Sequence, residues 1–206
     1  MSRRLGRGFF ARPALEVAPE LLNKVLVGPD GRAARIIEVE AYRGGDDPGS
    51  HAFRGPTPRT EVMFGPPGRL YVYFSYGMHW CANVVVERNG VAGAVLLRAA
   101  TPLRGLHQMR VERGSAARRS RDLCSGPAKL CQAMGIDGTH DGADLVVADH
   151  GISIRADNSA PPADVVQTTR VGLTKGAGSP WRWYVDGVPD VSVPGVSVPA
   201  GTVEDG

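Results

Sequence analysis

Residues 65–83 read Gly65-Pro-Pro-Gly-Arg-Leu70-Tyr-Val-Tyr-Phe-Ser75-Tyr-Gly-Met-His-Trp80-Cys-Ala-Asn83. A Pro-Pro-Gly turn opens the stretch, and two β-branched and aromatic runs flank Tyr76-Gly77, the pattern of a hairpin with its tip at that pair. Gly77 meets the backbone needs of a tight turn; a large ring beside it meets none of them. Tyr76 is therefore a candidate probe that reaches out and stacks, with Gly77 and Met78 beside it. A tip folded back onto the domain is the alternative. Alternation along the first strand puts Leu70, Val72 and Phe74 on one face and Tyr71, Tyr73 and Ser75 on the other. The tyrosine face is amphipathic, as a ring-stacking wall must be.

Working outward, eight of the thirteen aromatic residues fall between Tyr42 and Trp80. Such a cluster is either the heart of the core or the wall of a pocket. Upstream, Arg35 to Tyr42 reads as a strand paired with 24–27 around a Pro-Asp-Gly turn. Glu38, Glu40 and Tyr42 share one of its faces. Two carboxylates beside an aromatic ring are candidates for general-base work, although spacing alone leaves a solvated edge-strand face equally open. Between this hairpin and the next, residues 43–69 form a long loop rich in Gly, Pro, Asp and Arg. Long loops in compact domains tend to be functional, and this one holds His51, Arg54, Thr57 and Arg59.

Downstream, Ala94-Val-Leu-Leu-Arg98-Ala is a buried strand carrying a single charge, Arg98. A short helix is expected over 105–113, a basic loop over 114–121, and a helix over 126–134 capped by Ser125 and ended by Gly135. Strands are expected at 144–155, 170–173 and 181–185. The organisation expected is a flexible arm over 1–14, one domain over 15–192 and a frayed tail over 193–206. The fold class is α+β: one mixed domain with a curved, largely antiparallel sheet, flanking helices and a protruding hairpin.

A chain of 206 residues with 42% apolar and 22% charged residues can bury one sizeable core. No apolar run is long enough for a membrane span. The basic N-terminus lacks a hydrophobic signal segment, so a cytoplasmic protein and a monomer are expected. Three cysteines, Cys81, Cys124 and Cys131, make neither a metal spacing nor a disulfide framework. No metal and no cofactor are expected. The formal net charge of +3 is too small to announce a polyanion partner. Only three of the 24 basic residues are lysine, a bias that a GC-rich genome explains as well as nucleic-acid binding does. Arg54, Arg59 and Arg69 nevertheless lie on the approach to the hairpin, where phosphate contacts are useful.

The strings Arg35-Ile-Ile-Glu-Val-Glu-Ala-Tyr42, Ser50-His51, Thr57-Pro58-Arg59, Met63-Phe64, Leu70-Tyr-Val-Tyr73 and Tyr76-Gly77-Met78 stand in order along the chain. So do Cys81 and Asn83, Val95-Leu-Leu-Arg98-Ala, Leu123-Cys-Ser-Gly-Pro-Ala-Lys-Leu-Cys-Gln-Ala133 and Arg170-Val-Gly172. Together they closely resemble the alkyladenine (3-methyladenine) DNA glycosylase family over about residues 15–192. The resemblance implies an enzyme that flips damaged purines out of double-stranded DNA and hydrolyses the N-glycosidic bond with water. By the same resemblance Glu40 activates that water, Arg98 and the carbonyl of Val171 help hold it, and Tyr42, His51 and Tyr73 enclose the base. Asn83 matches a steric gate against the guanine amino group, and Tyr76 the residue that fills the gap in the stack, making the hairpin DNA-intercalating. Thr57 and Arg59 are placed with the DNA contacts, and the enzyme is expected with the nucleoid when bound to DNA. Lys24, Lys129 and Lys175 are the only lysines, so no Schiff-base lyase step is expected. A non-catalytic DNA-binding domain with the same cleft, and a glycosidase using Glu38 and Glu40, are the other readings the residues allow. The glycosidase is disfavoured because both carboxylates point one way.

Overall fold

The computed structural model describes residues 2–193; the tail expected over 193–206 lies, but for Val193, outside them. The strands are β1 (Arg3–Arg4), β2 (Val25–Val27), β3 (Ala33–Tyr42), β4 (Leu70–Ser75), β5 (His79–Val85), β6 (Ala94–Arg104), β7 (Ser153–Ala156), β8 (Val165–Thr168) and β9 (Arg182–Val185). The helices are α1 (Arg7–Phe10), α2 (Ala14–Leu21), α3 (Leu106–Arg113) and α4 (Pro127–Met134). All strands join one antiparallel sheet in the order β1-β7-β2-β3-β6-β5-β4, with β9 on β3 and β8 on β9. This is the mixed α+β class expected.

The sheet branches at β3. The first residues of β3 pair with β2, while Glu38, Val39 and Glu40 pair with β9 on the same side. The opposite side pairs with β6 over nearly its whole length. A strand bordered on both sides is central, so Glu38 and Glu40 are both fully buried and the solvated edge-strand alternative falls. One face of the sheet packs on α2 and α4 around Leu21, Leu26, Val39, Leu70, Leu97 and Leu130. On the other face a smaller cluster of Ala52, Met63, Tyr71, Val85 and Ala94 lies under the loop over 43–69.

Two irregularities shape β3 and β6. Ile36 faces Ala100 and Glu38 faces Ala99, so Ile37 is extra; Val39 then faces Leu97, so Arg98 is extra on the partner. Bulges of this kind re-aim side chains. The first moves Ile36, instead of Ile37, onto the core face with Val39 and Ala41.

Several expectations over the termini and loops are corrected. The flexible arm is built into the fold: Arg3 and Arg4 pair with β7, and Leu5 and Phe10 are buried, Phe10 completely. An aromatic pair, Phe9 and Phe10, gains more from burial than a short arm loses in entropy, at about 1.5–3 kcal/mol per buried large apolar side chain. Helix α4 starts at Pro127 with Gly126 before it and no side-chain cap; the Ser125 hydroxyl instead accepts from Lys129 Nζ at 3.4 Å. Proline at the first turn needs no capped N–H, which removes the demand that the serine was expected to meet. The segment 144–155 is turns until Ser153, because Asp144 and Asp149 accept backbone N–H bonds that a strand pair would otherwise take. Residues 170–173 are loop, and the strand lies earlier, at β8.

Replacing Phe10 by alanine leaves a cavity in the main core. Phe10→Ala is expected to cost about 3–5 kcal/mol, read as a lower denaturant midpoint; an unchanged midpoint identifies the N-terminus as a dispensable arm.

Candidate active site

Strand register assembles the site. Tyr71 faces Asn83, Asn83 faces Leu96, and Leu96 faces Glu40, so the four share one row across β4, β5, β6 and β3. Residues directly opposite point to the same side, and three strand spacings place the ends of the row ~14 Å apart. Residues two places along join the same face: Tyr73 and Cys81 opposite one another, Tyr42 opposite Ala94, and Arg98 and Glu38 toward the β9 side. The loop over 43–69 and the segment 169–176 close over this face.

Two connected cavities result. The inner one, about 70 Å³, is lined by Tyr42, His51, Met63, Tyr71, Tyr73 and Asn83, among others. The outer groove, about 620 Å³, shares Tyr42, His51, Tyr73 and Leu173 with it and runs past Arg98 and Val171 to Tyr76. Tyr42 and Tyr73 belong to the walls of both, the inner recess and the outer groove. Of the expected pocket residues, Tyr42, His51, Tyr73 and Asn83 all line the recess.

Glu40 is held by two hydrogen bonds and an ion pair. Its Oε1 accepts from the Val171 backbone N–H at 2.8 Å and lies 3.1 Å from Arg98 Nη1, and its Oε2 accepts from the Tyr42 hydroxyl at 2.8 Å. A carboxylate offers about four lone-pair positions, so with a single hydrogen bond Oε2 keeps acceptor capacity. Val171 thus meets Glu40 through its N–H, a contact that its expected carbonyl role did not include. Burial, and then the negative charge of Glu40, push the Tyr42 phenol far above its usual range and keep it a donor. Burial lowers the affinity of Arg98 for its proton, but adjacent Glu40 and Glu38 outweigh this and leave the guanidinium more firmly charged than usual.

The aromatic wall is tied together by edges. His51 Nδ1 lies 3.0 Å from the Tyr71 hydroxyl, and the His51 ring meets Tyr73 edge-on with centroids 4.6 Å apart. Arg59 stands over Tyr73, 5.4 Å from the ring centroid, at the mouth of the groove. Burial first, and the Arg59 charge second, lower the pKa of His51, so its imidazole is neutral at physiological pH. Asn83 Nδ2 donates to the Tyr71 carbonyl at 3.2 Å, which fixes its amide within the recess.

Several residues the sequence did not single out set this geometry. Arg170 and Asp47 form a fully buried ion pair; Arg170 also donates to the Ala41 and Gly176 carbonyls and lies 4.7 Å from the Tyr42 ring centroid. The pair joins the two loops that roof the cavity. Arg170 was visible only as the first residue of Arg170-Val-Gly172, and nothing linked it to a residue 123 positions away.

The hairpin tip stands at the outer end of the groove. Tyr76 (φ 50°) and Gly77 (φ 67°) are both left-handed, and Met78 N–H bonds the Ser75 carbonyl at 3.2 Å, a type I′ turn. Glycine takes this conformation freely; a bulky residue does so at a cost of about 1–2 kcal/mol. Tyr76 is 87% exposed, so the folded-back alternative fails, and Met78 is 67% exposed beside it. Thr57 is exposed, yet its hydroxyl is engaged with Thr60 at 2.9 Å in a turn.

Residues 8–189 match the family model of methylpurine-DNA glycosylases. The chain belongs to that family, a class of DNA glycosylases that carries hydrolase activity in base excision repair. A protein of Burkholderia lata named "Putative 3-methyladenine DNA glycosylase" is 56% identical over 190 residues, 92% of this chain and 91% of the relative. Proteins of the same name from Rhodopseudomonas palustris and Streptomyces avermitilis are 48% and 47% identical, over 92% and 91% of this chain and 90% of each relative. No helix among the described residues is long and apolar enough to cross a membrane, and no group of His, Cys, Asp and Glu among them is placed to hold a metal ion.

Removing the Arg59 charge relieves part of the pressure on His51. In Arg59→Gln the imidazole is expected to titrate at higher pH than in the unsubstituted protein, which itself titrates below the usual ~6.5. Imidazole chemical shifts followed by NMR check both, and an unmoved midpoint leaves burial as the whole cause.

Proposed function

We propose that this protein removes alkylated and deaminated purines, 3-methyladenine and hypoxanthine among them, from double-stranded DNA and leaves an abasic site. Glu40 is the general base that draws a proton from the attacking water, and Arg98 and Val171 hold the carboxylate and the water in place. The observation that carries this is that Glu40, a fully buried carboxylate, is in contact with Tyr42, Arg98 and Val171, three residues that line the groove together with His51 and Tyr73. General-base catalysis contributes roughly 10²–10⁴ in rate, enough for a base whose glycosidic bond is already weakened.

The energetics suit base flipping. Extrusion costs a few kcal/mol, and stacking on aromatic rings returns about 1–3 kcal/mol per base. Tyr76, held outward on a left-handed turn, fills the gap in the stack, with Gly77 and Met78 lying against the duplex and Thr57 and Arg59 on its phosphates. A cationic base such as 3-methyladenine gains roughly 0.5–2 kcal/mol from the ring faces. The neutral His51 adds no repelling charge. Asn83, its amide pinned by Tyr71, crowds the side of the recess where the amino group of guanine would enter. Because phosphate contacts supply much of the affinity, binding weakens as salt rises. The protein acts as a monomer on the nucleoid, without metal or cofactor.

A glycosidase using both carboxylates is disfavoured, because Glu38 and Glu40 point one way from the same strand and Glu38 is fully buried among Arg98, Arg182 and Ser192. A binding domain without catalysis is separated by one substitution. On duplexes bearing a single defined lesion, Glu40→Gln is expected to bind as tightly as the unsubstituted protein while its single-turnover release falls by roughly 10²–10⁴. Release at the unsubstituted rate removes Glu40 from the role of base.

None of the three lysines borders either cavity, which supports a glycosylase without a lyase step. Borohydride added to protein and abasic-site DNA is expected to trap no adduct; a stable covalent complex overturns the monofunctional assignment.

A further inference from the structure

Behind Arg98 lies a polar cluster that the proposed reaction does not use. Glu38, fully buried, accepts at Oε1 from Arg98 Nε (2.9 Å), Arg182 Nη1 (2.9 Å) and the Ser192 hydroxyl (2.8 Å), and at Oε2 from the Ser192 N–H (2.7 Å). The Ser192 hydroxyl has one hydrogen, given to Glu38, and accepts from Arg98 Nη2 at 3.1 Å. Two further bonds tie down the strap over 190–193: Thr101 Oγ1 to Asp190 Oδ2 at 2.8 Å, and Arg182 Nη1 to the Val193 carbonyl at 2.7 Å.

We propose that Glu38 and Ser192 are positioning residues that aim Arg98 at Glu40, so that the strap over 190–193 is part of the catalytic apparatus. A guanidinium is a rigid planar fork. Fixing Nε on Glu38 and Nη2 on Ser192 determines where the remaining nitrogen points, and Nη1 lies 3.1 Å from Glu40 Oε1. The need for such a brace follows from the backbone. Arg98 is the unpaired residue of a bulge, where the ladder cannot hold the chain direction by itself. Glu38 takes three of its four bonds at Oε1 and one at Oε2, and what these bonds hold is Arg98, Arg182 and the strap.

The inference rests on the proposed roles of Glu40 and Arg98, and the experiment separates the two. Single-turnover release and lesion-duplex affinity are measured for the full chain, Ser192→Ala, Ser192→Thr, Glu38→Gln, Arg98→Ala and the pair Ser192→Ala with Arg98→Ala. Misplacing a catalytic group by about an ångström costs up to about 100-fold in rate. Ser192→Ala is expected to release base about tenfold more slowly and Glu38→Gln about 100-fold more slowly, both with unchanged affinity for the duplex. Ser192→Thr, which keeps the hydroxyl, restores the rate. Once Arg98 is alanine, Ser192→Ala costs nothing further, because residues acting through one group are not additive. Ser192→Ala at the full rate, or an equal loss with Arg98 already removed, overturns the inference while leaving the glycosylase assignment in place. A full chain that releases no base overturns both. The serine pair decides the matter even if Glu38→Gln does not fold.

Discussion

Two carboxylates and two guanidiniums share one dry face of the sheet: Glu38, Glu40, Arg98 and Arg182, none more than 6% exposed. Burying any one of these charges alone costs several kcal/mol, and only close pairing with complete hydrogen bonding makes the set tolerable. The pairing is unequal. Glu38 accepts four hydrogen bonds from Arg98, Arg182 and Ser192, whereas Glu40 accepts two, from Tyr42 and Val171 of the groove wall. Arg98 spans both, so one cation faces two carboxylates. Remove it and Glu40 loses its ion-pair partner, while Glu38 keeps Arg182.

That arrangement needs β3 to be interior and interrupted. A continuous ladder would leave Arg98 in regular register with β3; the paired bulges bring the arginine, as an unpaired residue, against both glutamates. The branching of the sheet at β3 serves the same end. By pairing β9 where β2 stops, it delivers Arg182 to Glu38 and leads the chain on to Ser192. The roof is held separately, through Arg170 and Asp47, which join the loop bearing His51 to the segment bearing Val171. Rigid framework and covering loops therefore meet at Glu40 from opposite sides.

The hairpin follows another logic. Nothing in the core needs Tyr76, which spends conformational energy on a left-handed backbone and gains no burial in the free protein. Strain of this kind persists because the surrounding structure imposes it, here the paired strands β4 and β5. The adjoining groove, with Tyr73, His51 and Arg98 along it, runs up to this residue.

Much of the framework was legible in the amino-acid order, because alternation and turn residues are local properties. The period-2 pattern of 70–75 placed Tyr71 and Tyr73 on one face, Tyr76-Gly77 marked the tip, and Glu38, Glu40 and Tyr42 were already on one side of their strand. The motifs carried the family as well. Local pattern failed where a local rule competed with packing. The N-terminal arm became ordered through two buried aromatic and aliphatic anchors, Ser125 yielded its cap to a proline start, and 144–155 turned because aspartates took the backbone bonds. What only the tertiary structure decided is how differently the two carboxylates are partnered. Glu38 and Glu40 are two residues apart and alike in sequence context; they differ because Arg182 and Ser192, more than 140 positions away, bind Glu38, while Glu40 meets Tyr42 and Val171 of the groove wall. Electrostatic pairing depends on distance in space, and distance along the chain does not encode it.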